Sequence, residues 1–117
     1  LEGLVRVDLD PLRWTPAPAQ GALGLQCRAS DERVVAQLRG IAKRELTAAV
    51  EVERRLLALA GGGCHAAFGA WARPEGERLV VELGRVEAGA WVRARLEGPF
   101  DAIDGYWEGA FGQARWA

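Results

Sequence analysis

A chain of 117 residues, half of them apolar and 26% charged, can bury one modest core, so one compact domain with an appendage is the ceiling. A net charge of −1 argues against nucleic acid or an anionic membrane as a bulk electrostatic partner, and no apolar run approaches the roughly 20 residues of a bilayer span. Two cysteines, Cys27 and Cys64, are too few for a disulfide scaffold, and no secretory signal opens the chain, so the expected compartment is the cytoplasm. The sequence lacks Met, and Leu1 therefore reads as the start of a processed or truncated fragment.

Residues 1–43 read as the C-terminal remnant of a larger α/β domain. Val5, Val7 and Leu9 alternate with Arg6, Asp8 and Asp10, a short strand pattern. Pro11, Pro16 and Pro18 then interrupt the chain, and Gln20-Gly21 predicts a turn. Leu23, Leu25 and Cys27 alternate again and predict a second short strand. Ser30 before Asp31-Glu32 predicts a capped helix start, and Val34, Val35, Leu38 and Ile41 give that helix one apolar side.

Residues 44–117 form a better-defined α+β unit. At about 100° per residue, Leu46, Ala49, Val50, Val52, Leu56, Leu57, Leu59 and Ala60 share one arc of a helix. Thr47, Glu51, Arg54 and Arg55 lie opposite, as a solvated face. Glu53 alone among charged residues falls inside the apolar arc. An unpaired buried carboxylate is costly, so Glu53 is expected to meet an Arg side chain or backbone N–H groups. Gly61-Gly62-Gly63 ends the helix.

The period then changes from 3.6 to 2. Residues 66–73, 79–84 and 91–96 alternate, separated by a turn at Pro74-Glu75-Gly76-Glu77 and a reversal at Ala88-Gly89. These predict a three-stranded antiparallel sheet with helices packed on one face. Leu79, Val81, Leu83, Val92, Ala94 and Leu96 should face the helices, and Glu82, Arg93 and Arg95 the solvent. Ile103, Tyr106, Trp107, Ala110, Phe111 and Ala114 recur at helical spacing and predict a closing helix.

Cys64 is the residue most suited to chemistry. It follows three glycines at a helix-to-strand junction, where small neighbours let a large group approach the sulfur, and His65 follows it. Read from the residues alone it stays open among a small buried hydrophobe, a reactive or modified thiol, and a metal ligand with Cys27 and His65. No paired C-x-x-C spacing supports the metal reading. Gln20 alone is a turn residue, and Arg28 reads as a structural partner for a carboxylate.

Motif context narrows this. Pro16-Ala17-Pro18-Ala19-Gln20-Gly21-Ala22-Leu23, running on to Cys27-Arg28, is similar to the stretch PAPGQGAL…ECR of hydroxymethylbilane synthases (porphobilinogen deaminases). Thr47-Ala48-Ala49, Glu53-Arg54 and Leu59-Ala60-Gly61-Gly62-Gly63-Cys64 resemble that family's T-A-x…E-R…L-x-G-G-C run. Phe68-Gly69-Ala70-Trp71-Ala72 resembles its P-I-G-A-Y-A segment. Ala19 replaces a glycine, Ala67 a proline, and the tail after Gly98 matches poorly.

The resemblance covers roughly the last third of a family member and has concrete implications. Such enzymes join four porphobilinogen molecules head to tail, releasing ammonia, on a dipyrromethane cofactor held by a cysteine thioether. Cys64 matches that cysteine, and Gln20 matches a residue lining the cofactor cleft. The family's third domain is a three-stranded antiparallel sheet with helices on one face, in agreement with the periodicity. The family's catalytic aspartate and most of its carboxylate-binding arginines lie upstream, so no catalytic residue is assigned here and the fragment alone should not turn over. Two other classes stay in view: a non-catalytic binding or interaction module that kept this domain, and a thiol redox element using Cys64. The sequence leaves the oligomeric state undetermined.

Overall fold

A computed structural model describes residues 3–61 and 67–99. Helix α1 spans Glu32–Ile41, capped by the Asp31 side chain, which accepts a hydrogen bond from the Val34 N–H. The cap is therefore Asp31 and not Ser30; its carboxylate also places negative charge at the positive end of the helix dipole. The apolar side read from Val34, Val35, Leu38 and Ile41 is not covered: α1 buries no residue, and Ile41 is 66% exposed.

Helix α2 spans Arg44–Leu59 and ends as glycine requires, with Gly61 at a φ of 68° and its N–H donating to the Ala58 carbonyl. Its buried stripe is Ala49, Val52, Glu53 and Leu56. Leu46 and Leu59, at the two ends of the predicted arc, are more than half exposed. The contact stripe is thus narrower than the apolar one. On the opposite side Arg55 pairs with Glu51 at 2.8 Å, an i,i+4 contact on a solvated face as expected.

Strands β1 (Phe68–Glu75), β2 (Arg78–Glu87) and β3 (Ala90–Pro99) form one antiparallel sheet in the order β1-β2-β3. Each turn has two residues, because Glu75 pairs with Arg78 and Glu87 with Ala90. Pro74 and Glu75 therefore belong to β1, and only Gly76-Glu77 turns. Gly76 has a φ of 63°, and both Ala88 and Gly89 have positive φ. These are the primed turn geometries whose twist matches paired strands.

The register carries the alternation across the sheet: Leu83 lies opposite Ala94, Val81 opposite Leu96, and Leu79 opposite Gly98. Leu79, Val81, Leu83 and Ala94 are buried in one core with Ala49, Val52, Leu56, Phe68, Ala70 and Ala72; Leu57 and Leu96 pack against it. Fully burying a side chain such as Leu56 or Leu83 contributes about 1.5–3 kcal/mol. The α+β layer predicted from periodicity is the one observed.

The second face of the sheet is less wet than alternation suggests. Val80 is fully buried there, and Glu82 is only 14% exposed in its side chain. Glu82 accepts from both Arg73 and Arg95 at 3.3 Å, and Arg73 also stacks over Trp71 at 4.3 Å. Arg93 is exposed as expected, but its guanidinium donates to the carbonyls of Leu12 and Arg13. The N-terminal segment thus crosses this face, and a Cβ on Gly69 would stand 2.8 Å from the Thr15 carbonyl oxygen.

Residues 5–9 and 23–27 form no strand in the structure. A strand needs a neighbour to bond to, and among the described residues neither segment has one. Val5, Val7, Leu9, Leu23 and Leu25 are exposed. The helix predicted near residues 103–114 lies outside the described residues. None of the described helices is long and apolar enough to cross a membrane.

Candidate functional site

Cys64 and His65 lie outside the described residues, whereas Gln20 and Glu53 are both within them. Gln20 sits in a turn that the chain closes on itself. Its N–H donates to the Ala17 carbonyl, its side-chain Oε1 accepts from the Ala17 N–H at 3.1 Å, and the Ala22 N–H donates to Ala19. Ala19, at the middle of this turn, has a φ of 60°. A left-handed alanine costs roughly 1–2 kcal/mol because Cβ crowds the backbone, a penalty glycine escapes. This is the position at which the similar family stretch carries glycine. Ala19→Gly should therefore raise stability by about 0.5–1 kcal/mol, read as a higher urea midpoint at unchanged slope. A lower midpoint would mean that the strain is absent.

Two contacts dock the turn on the free edge of β1. The even-numbered residues of that strand point their N–H groups away from β2. Ala70 donates to the Pro16 carbonyl at 3.0 Å. Ala72 donates to Glu53 Oε1 at 2.7 Å. The next outward position is Pro74, which has no N–H to leave open. Glu53 Oε2 in turn accepts from the Ala19 N–H at 2.6 Å. One carboxylate therefore joins α2, the edge of β1 and the Gln20 turn.

Glu53 is 7% exposed, and the sequence-based expectation that it would be buried against backbone N–H groups or an arginine is met by the N–H groups. Burial holds its carboxyl above the ordinary value of 4.5, while the Ala72 and Ala19 N–H groups pull it back down. The folded form then binds the Glu53 proton more tightly than the unfolded chain does. Its contribution to stability is complete below pH 4.5 and is lost as pH rises through the raised value. Wild type minus Glu53→Gln stability, from denaturant midpoints between about pH 4 and 7, should accordingly fall with rising pH. A difference that grows with pH would reverse the assignment.

Beside the turn lies an open concavity of about 650 Å³, lined by Arg13, Trp14, Thr15, Pro16, Ala17, Gln20, Trp91 and Arg93. Trp91 is held low over β2, since a Cβ on Gly84 would stand 2.2 Å from its ring. The concavity offers cationic charge, flat aromatic surface and an amide within one wall. Sequence periodicity could not find it, because Trp91 and Arg93 meet residues 13–20 only through tertiary packing. Cys27 is half-buried and free, and Arg28 is exposed and meets no carboxylate among the described residues, contrary to the pairing expected of it.

A porphobilinogen deaminase of Xanthomonas campestris pv. campestris is 36% identical over 106 residues, covering 89% of this chain and 35% of that protein. Those of Mycobacterium leprae and Mycobacterium tuberculosis are 42% and 43% identical over 97 residues, or 83% of this chain. The chain is a relative of the porphobilinogen deaminases. It spans about a third of the length of the curated porphobilinogen deaminases it matches. No protein-family model matches it. The similarity to these deaminases reaches well beyond the motif-bearing stretch, which covers residues 16–72.

Proposed function

We propose that the chain is the C-terminal, cofactor-bearing part of a hydroxymethylbilane synthase, which condenses four porphobilinogen molecules head to tail and releases ammonia. In this reading residues 1–43 complete a second domain and residues 44–117 are the third. The protein works in the cytoplasm on porphobilinogen as its small-molecule substrate. Cys64 Sγ anchors a dipyrromethane as a thioether, and Gln20 lines the cleft that receives it.

One observation carries the reading beyond sequence similarity. The 2.6 Å bond from Ala19 to Glu53 ties the turn bearing Gln20 to the helix that ends five residues before Cys64. Two segments that resemble separate family motifs are thus neighbours in space. The concavity beside Gln20 also has the chemistry the group requires. Arg13 and Arg93 suit carboxylates, and Trp14 and Trp91 suit planar rings.

When bound, a dipyrromethane supplies the carbon on which the first pyrrole is added. The contribution of Cys64 is covalent retention: a held chain makes each condensation intramolecular and removes the entropy of bringing partners together. Gln20 contributes a neutral amide at the cleft wall, and the arginines contribute charge that orients carboxylates. Proton transfer falls to an aspartate outside these residues, so the 117 residues alone should carry a free thiol and show no turnover. Intact mass and peptide mapping of the gene's full product test this. A thioether adduct at Cys64 supports the reading, and an adduct at Cys27, or active protein with an unmodified Cys64, overturns it.

A further inference from the structure

Glu53 is the only buried charged residue among those described, and its two oxygens are spent on two backbone N–H groups from different parts of the chain. One belongs to Ala19, thirty-four residues earlier, and the other to Ala72, nineteen residues later. The turn between is therefore fixed to β1 at two points. Pro16 is bonded directly to Ala70, and Ala19 is bonded through Glu53 to Ala72. Gln20 is the residue next to the second point. Without Glu53 the turn keeps its internal bonds but loses the anchor beside Gln20.

A carboxylate is an expensive way to stabilise a fold, because removing it from water costs several kcal/mol that two N–H groups offset only in part. Here burial outweighs those groups in setting its protonation. An apolar residue would fill the same arc of α2 at no such cost. The two-sided acceptor is what an apolar residue cannot provide, and its geometry is positional.

We infer that Glu53 is a positioning residue: its carboxylate fixes the Gln20 turn against β1 and α2, and so sets where Gln20 stands relative to these two elements. This role rests on the proposed function. Glu53 touches no substrate or cofactor and acts through Gln20.

Glu53→Gln tests it with little change of volume. A carboxamide oxygen can accept one of the two N–H groups, but its NH₂ then faces the other, donor against donor. In the full-length protein, hydrogen exchange of the peptide covering residues 16–22 should quicken about tenfold, with β2 and β3 unchanged. Turnover per adduct-bearing molecule should fall in Glu53→Gln and in Gln20→Ala. Adding Glu53→Gln to Gln20→Ala should cost little more, because both remove the same function. Additive losses, or exchange that rises evenly through the sheet, would overturn the role and leave Glu53 a stability residue. The functional reading fails separately, if wild-type protein carries no adduct at Cys64. In that case the exchange pattern alone still reports whether Glu53 fixes the turn.

Discussion

Glu53→Ala should destabilise the fold by about 2–4 kcal/mol, through two stranded N–H groups and not through the lost charge. The Ala19 and Ala72 donors both lose a short, charge-assisted acceptor, Ala72 at a buried position and Ala19 at a half-buried one. For a chain of this size the loss corresponds to roughly 8–15 °C in melting temperature. Thermal or urea denaturation of wild type and variant checks it. A change under about 0.5 kcal/mol would mean that water reaches both donors. Glu53→Gln should lie between the two, since it keeps one acceptor.

Cys64→Ser in the full-length protein should abolish the covalent adduct and reduce turnover by about three orders of magnitude or more, the scale on which tethering acts. A serine hydroxyl is far less nucleophilic than a thiolate and should not form the link. Cys27→Ser should keep both adduct and activity. The two variants share a readout, intact mass followed by turnover, and they must give opposite results. An adduct surviving in Cys64→Ser, or lost in Cys27→Ser, would move the anchor to the wrong cysteine.

The fold of residues 44–61 and 67–99 was legible because it depends on period. The switch from 3.6 to 2 after Gly61 located α2 and the sheet, and the exception in the pattern, Glu53, named its own burial. The alternation also set which face of the sheet meets the helix. What it could not set was the other face. Val80 and Glu82 look solvent-bound in one dimension, but they lie opposite Arg73 and Trp71, which stack on each other, and Glu82 accepts from Arg73 and Arg95. Residues 5–9 and 23–27 failed in the opposite way. Their alternation is real, but a ladder is a property of two strands, and one sequence segment cannot report the absence of the second.

Of the site, Gln20 was visible only through its resemblance to a family motif; nothing in its own neighbourhood distinguishes it from an ordinary turn residue. The left-handed backbone at Ala19 left a trace as well, since the similar stretch has glycine there. Arg13, Trp14, Trp91 and Arg93 left none, because four residues from two distant segments share no spacing.

The covered edge of β1 also bears on how the protein behaves among its own copies. A sheet margin with open donors is a template on which a foreign strand can grow, the usual start of fibrous deposits. Here Pro16 takes one donor, Glu53 takes the next, and Pro74 has none to offer. The first protection depends on residues 13–20 staying seated, the second comes from α2, and Pro74 is permanent. Any lesion that lifts residues 13–20 therefore does two kinds of damage at once: it unseats Gln20, and it opens the Ala70 donor on that edge to another chain.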